Sequence, residues 1–351
     1  PTLSGPATQP WAAWMAEPYW APWAGAEGMQ RRQVLGGLMA LGAARPWRVK
    51  GALAQTPRRF GLPMPPPLVS GSQVMAIAPG TWWEDPDQEA EPLRARFAAA
   101  GWQLTVPAAI RGRWRWFSEP DGQRLRRLQQ AMADPSLAAV VSVAGGWGSA
   151  RLLELGWRPP PSPRWLVGFS DASALLLAQC AAGIGGAVHG SLSGDDQQWD
   201  RLRRLLSGLT VSPLQGRGWR SGQAVGPLVV SNLTVATSLI GTPWFPSLAG
   251  CVLVLEDVGE EPYRVDRMLT QWRTSGVLRG IAGVGCGRFR WKEDDILPGD
   301  FSMEEVLKDR LGDLGVPVVG QLPVGHGRPN LALPLGRLAR LDGERGLLEL
   351  L

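Results

Sequence analysis

The chain has 351 residues, 44% apolar and 19% charged, enough to bury the cores of two average domains without disulfide support. Three scattered cysteines (Cys180, Cys251, Cys286) argue against a disulfide framework, and two distant histidines (His189, His326), with no HxxxH or CxxC, leave no histidine-rich metal site. The formal charge of +5 is almost all arginine, the only lysines being Lys50, Lys292 and Lys308; it is interspersed with Glu and Asp, as in LRARF and DRLRRLL, so no nucleic-acid partner is expected.

Residues 1–28 are rich in Trp, Pro and Ala and lack a hydrophobic period, which reads as an unstructured or upstream extension. At Met29 the character changes. MQRRQVLGGLMALGAA sets Arg31 and Arg32 before an apolar run, and Ala52-Leu53-Ala54 supplies small residues for cleavage, so residues 29–54 read as a twin-arginine signal. The location expected from it is periplasmic or exported; an amphipathic leader on a cytoplasmic protein is the alternative. The run is too short for a stable membrane span. Residues 55–72, closing in GLPMPPPLVSGS, read as a linker.

Residues 73–214 alternate short apolar runs with amphipathic stretches. The strands are VMAIAP, WQLTVP, AAVVSVA and WLVGF; helices are expected over 87–100, over 121–133 with Asp121 as N-cap, and over SARLLELG and DASALLLAQCAAG. Regular strand–helix alternation argues for a parallel sheet covered by helices, with ligand-binding loops at the strand carboxyl ends. A Gly/Ser/Arg-rich linker is expected over 215–225. Residues 226–351 then carry shorter β runs, among them GPLVVSNLTVATSLIG and CVLVLEDVG, and a helix over YRVDRMLTQWRTSG. The fold class is therefore α/β: an N-terminal parallel-sheet domain with flanking helices plus a smaller β-rich C-terminal domain.

In WLVGFSDASALLL a buried strand ends, Gly168 permits a sharp turn, and Ser170 sits where a helix begins, the logic of a nucleophile elbow. The helix start offers free N–H groups where an oxyanion would form, that of Asp171 first. The plainer alternative is that Ser170 or Asp171 caps the helix. A serine nucleophile needs a base, which can only be His326, in the glycine-flanked loop LPVGHGRPN, or His189, in GAVHGSL. The orienting carboxylate is Glu256, at the tip of CVLVLED, unless Glu256 and Asp257 face solvent with Glu260 and Glu261. Cys286 could serve as a nucleophile, although a small buried thiol explains it more simply.

Five segments together resemble the LD-carboxypeptidase family of serine peptidases, which includes murein tetrapeptide carboxypeptidases and microcin C self-immunity proteins. They are GGWGSARLLE, VGFSDASALLL with the later HGS, SNLTVATSLIGTPWFP, LVLEDVGEEPYRVDRMLTQWRTSGVL and PVGHGRPNLALPLG. The resemblance implies a triad carried onto Ser170, His326 and Glu256, an oxyanion hole from the backbone N–H groups of Asp171 and Gly146, a homodimer, and neither metal nor cofactor. Gly145, Trp147 and Asn232 are the candidate substrate contacts. Three departures stand out: Ala144 replaces the arginine that usually precedes the two glycines, Val230-Ser231 replaces a glycine pair, and Ser191 stands where proline is common.

The expected reaction is hydrolysis of the amide between an L-centre and a terminal D-amino acid, with a murein-derived peptide as partner. The alternatives are an immunity-type hydrolase of peptidyl or aminoacyl nucleotides and a catalytically weak binder of cell-wall peptides. GGWGS as a phosphate loop lacks both the Lys-Ser/Thr of a P-loop and full GxGxxG spacing.

Overall fold

The computed structural model describes residues 61–292 and 299–351. The extension expected over 1–28, the signal over 29–54 and the start of the 55–72 linker lie outside the described residues.

The first layer follows the alternation of the sequence: β1 (Gln73–Ile77), α1 (Pro86–Ala99), β2 (Gln103–Thr105), α2 (Asp121–Ala133), β3 (Leu137–Ser142), α3 (Ser149–Glu154), β4 (Trp165–Gly168), α4 (Ser173–Ala181), β5 (Ala187–His189) and α5 (Asp196–Leu206). Pro86 opens α1, where its missing N–H costs nothing, and Asp195 caps α5 by accepting from the Gln198 N–H at 2.9 Å. The five strands are parallel in the order β5-β4-β3-β1-β2. Helices cover both faces of such a sheet, so its central strands are apolar throughout; every residue of β4 is buried.

The second layer begins with β6 (Leu214–Gln215), β7 (Arg217–Arg220), β8 (Gln223–Asn232), α6 (Leu233–Leu239), β9 (Val252–Val258), α7 (Pro262–Ser275) and β10 (Gly283–Arg290). It continues through α8 (Met303–Leu311), β11 (Val318–Gly320), β12 (Leu333–Pro334), β13 (Leu338–Asp342) and β14 (Leu347–Leu350). Its eight-stranded sheet runs β6-β14-β13-β8-β9-β10-β11-β7, parallel from β8 to β11 and antiparallel outside them. The exception is β12, which returns to the first sheet and pairs antiparallel with β5, Leu333 opposite His189. Between the layers lies α4, buried from Ser173 to Cys180 and packed on β4 and β5 on one side and on β8 and α6 on the other. Its apolar surface on every side is what a doubly covered helix needs.

Three stretches depart from the sequence reading. The stretch 215–225 is not a free connection: it contributes to β6, β7 and β8. Within SNLTVATSLIG the chain forms α6 rather than a further β run, started by Asn232, whose Oδ1 accepts from the Val235 N–H at 3.0 Å. Residues 61–72 are held down as well, with Leu68 buried and its N–H donating to the Leu206 carbonyl at 2.8 Å.

Candidate active site

β4 ends at Gly168, where a Cβ would lie 2.6 Å from that of Ala172, so only glycine lets the chain double back so tightly. Phe169 remains extended, and Ser170 takes φ 59° before a 3-10 turn over Ser170–Ala172 leads into α4. The left-handed region costs a residue with a Cβ roughly 1 kcal/mol. Strand, strained serine and helix make the elbow expected from the sequence. The loop after β3 lies against it: a Cβ on Gly145 would sit 2.9 Å from the Ser170 Cβ and 3.2 Å from its Oγ.

Glu256 lies on β9 opposite Asn232 of β8 and is wholly buried, as is the neighbouring Asp257; neither joins Glu260 and Glu261 toward solvent. The loop between β11 and β12 brings His326 to it. At Gly325 (φ 103°) a Cβ would fall 2.6 Å from the Glu256 Cβ, so the glycine lets this backbone touch the acid. The Gly325 N–H donates to Oδ1 of Asn330 at 2.9 Å, and the Arg288 guanidinium donates to the carbonyls of Arg328 and Pro329, fixing the loop from behind.

Ser170, His326 and Glu256 thus form one hydrogen-bonded line. Nδ1 of His326 lies 2.7 Å from Oε2 of Glu256, and Nε2 lies 3.2 Å from the Ser170 Oγ. The tautomer with its proton on Nδ1 donates to the carboxylate and leaves Nε2 to accept from the serine. Burial pushes the Glu256 carboxyl up, but His189 and His326 beside it pull it down further, to about 2. It is ionised wherever an imidazole can work as a base.

Asp171 follows the serine with a buried side chain. Its carboxylate accepts from the N–H groups of Gly148 at 3.2 Å and Ser149 at 2.8 Å, so it caps α3 and ties the glycine loop to the elbow. Burial raises its pKa, opposed by these bonds and by Arg124. Its own N–H belongs to a first helical turn, where such groups lack an intrahelical acceptor. Gly146 is exposed, at φ 78°, with Thr81 2.5 Å from where a Cβ would stand.

The remaining candidates divide. Gly145 lines a cavity of about 490 Å³ at the carboxyl ends of the strands, walled also by Trp83, Arg96, Ala144, Phe169 and Ser191. Trp147 is half-exposed outside that wall. Asn232 is buried, its Oδ1 capping α6 and its Nδ2 donating to Asp257 at 3.0 Å, so its amide serves the scaffold. Cys286 is fully buried and its thiol is pushed up to about 12, the inert reading of that residue. His189, the other candidate base, lies wholly buried with Nε2 3.7 Å from Oε1 of Glu256, away from Ser170; sequence reasoning missed that contact, and it missed Phe169, whose ring stands between the two imidazoles at 5.3 and 4.3 Å. It also missed the Asp171 carboxylate and Arg96. Nothing local in the sequence marks these contacts, because each joins elements far apart along the chain. Among the described residues no group of three or more His, Cys, Asp or Glu side chains could hold a metal, and no helix is long and apolar enough to cross a membrane.

A mostly parallel α/β scaffold that strains a serine toward an imidazole backed by a buried carboxylate is that of a serine-type hydrolase. The comparisons narrow the class: the chain belongs to the LD-carboxypeptidase family, matching its N-terminal domain over residues 74–190 and its C-terminal domain over residues 225–341. A Synechocystis protein is 41% identical over 308 residues, covering 85% of this chain and 100% of that one. The murein tetrapeptide carboxypeptidase of Pseudomonas aeruginosa is 34% identical over 257 residues, covering 67% and 82%. Among solved structures, muramoyltetrapeptide carboxypeptidase from Oxalobacter formigenes superposes with a TM-score of 0.68 at 25% identity, covering 80% of this chain and 98% of that one. The microcin C7 self-immunity protein MccF has the same fold, with a TM-score of 0.69 at 18% identity and 82% and 98% coverage.

Proposed function

We propose that the chain is a serine-type LD-carboxypeptidase that removes a terminal D-amino acid from a murein-derived peptide. The observation that carries this reading is the unbroken line from the Ser170 Oγ through His326 to Glu256. Ser170 attacks the carbonyl of the L-centre while Nε2 of His326 takes its proton; Glu256 holds the tautomer and offsets the imidazolium charge. The N–H groups of Asp171 and Gly146 receive the oxyanion. Collapse breaks the C–N bond, His326 returns the proton to the departing amine, and water then cleaves the acyl-enzyme by the same route. No metal or cofactor takes part in these steps. In the cavity beside Gly145, Arg96 is the cationic lining residue that would receive an acidic terminus, with Glu89 as an anionic residue of the same wall.

The test is a mass-spectrometric assay of purified protein with a free murein tetrapeptide, beside Ser170→Ala. The wild type alone should release one D-alanine, and the variant should lose about a thousandfold or more. Retention of over about a tenth of the rate would remove Ser170 from the mechanism. Trp83 and Phe169 in the cavity wall could also stack a base, the feature an immunity-type substrate needs, so an aminoacyl sulfamoyl nucleotide belongs in the same assay. The reading extends to a homodimer, checked by light scattering, and to export behind Arg31 and Arg32, checked by N-terminal sequencing of the secreted protein.

A further inference from the structure

Glu256 is bonded on one side only. Its Oε2 accepts from Nδ1 of His326 at 2.7 Å and from the His326 backbone N–H at 3.2 Å. Oε1, equally buried, has no hydrogen-bond partner among the described residues, and neither ring nitrogen of the fully buried His189 has one. The distance between Nε2 of His189 and that oxygen is 3.7 Å. An ionised carboxylate oxygen buried without a donor is costly, as is a buried N–H without an acceptor. Each removes the other's penalty, and an approach of about half an ångström completes the bond.

We propose that His189 is a positioning residue for the reaction: its Nε2–H holds the far oxygen of Glu256, so that the near oxygen stays on Nδ1 of His326. The inference rests on the serine-hydrolase reading above. His189 is well placed for the task. It ends β5, and backbone pairing with Gly168 on β4 and Leu333 on β12 fixes it by the same ladders that set the elbow. Phe169 meets its ring edge-on at 85°, filling the space toward His326. Among the described residues, Glu256 on β9 is the charged group within ion-pair distance of the His189 ring; Phe169 from the elbow is apolar, and His326 reaches the opposite carboxylate oxygen. With no acceptor at Nδ1, the neutral tautomer protonated on Nε2 fits best. Removing this donor makes the carboxylate more basic toward His326, which moves the acid limb of the reaction to higher pH.

The probe is a fluorophosphonate, which reports the reactivity of Ser170 without a chosen peptide; its second-order labelling rate is followed over about pH 5–9, the range in which an imidazole titrates. In His189→Gln the amide nitrogen reaches the place of Nε2, whereas in His189→Asn it takes the place of Nδ1 and falls short. The Gln variant should label within about threefold of wild type, and the Asn variant ten- to a hundredfold more slowly with its acid limb raised by about half a unit or more. The two variants should melt alike. Equal rates for Gln and Asn, or an unmoved acid limb, overturn the proposal. If His189→Asn does not fold, His189→Phe removes the donor at similar volume and is judged the same way. Failure of the underlying reading looks different: Ser170→Ala would still be labelled, or the wild type would carry the label elsewhere, and either result overturns both.

Discussion

Ser170 pays in backbone strain for its exposure, since φ 59° suits glycine better than serine. Ser170→Gly should therefore melt about 2 °C above Ser170→Ala by scanning calorimetry, although both are inactive. Glu256 makes an opposite kind of contribution. Its carboxyl lies near 2 in the folded chain against an ordinary 4.5, so the unfolded chain binds the proton more readily and stability rises with pH between those values. The contribution is complete above about 4.5 and lost as pH falls toward 2. Urea melts across that window should show wild type losing stability relative to Glu256→Gln; a constant gap would mean that the carboxylate is not held ionised. Cys286, buried with its thiol near 12, should resist iodoacetamide in the folded protein, leaving activity unchanged. At this scale Gly168 before Ser170, glycines around His326 and an acid ending an apolar strand are local signals that marked candidates but left His326 and His189 open as the base; the family resemblance, not these signals, implied the triad. The pairing of His189 with Glu256 was not legible, because it arises only when β5 and β9 meet.

At the scale of elements, α6 shows what a local reading can lose. Thr234, Val235 and Thr237 made this stretch look extended, while the better signal was Asn232 followed by residues that bury one face, Leu233, Ala236 and Leu239. That cap does double duty. Oδ1 starts the helix, and Nδ2 joins the Thr234 N–H and hydroxyl and the Val258 N–H in holding the buried Asp257 carboxylate. Asn232→Ala should cost about 2 kcal/mol in urea unfolding, with any loss of rate following from the shifted β8–β9 pairing rather than from lost substrate binding. The edge strand β7 was illegible for another reason: RGWR is mostly exposed and only Trp219 packs toward the core, too little to show an alternating pattern, as suits a sheet edge. Strands β1, β3 and β4 were plain, since burial on both faces demands an unbroken apolar run.

At the scale of the molecule, the fold class was legible from the alternation of strands and helices, whereas the path of the chain between the layers was not. His326 hangs on a loop whose two ends belong to different sheets: β11 anchors it to the second, and β12 fastens it to the first beside His189. A two-residue strand carries no recognisable pattern, so sequence alone could not place it. The closing of the first sheet by β12 also bears on how the protein could be cut or built. A fragment ending near residue 214 would expose the backbone of β5 as an open edge, available to another copy of itself. In such a fragment the contact that completes the intact chain becomes a site of self-association, so the two halves are expected to complement one another when expressed together and to aggregate when expressed apart.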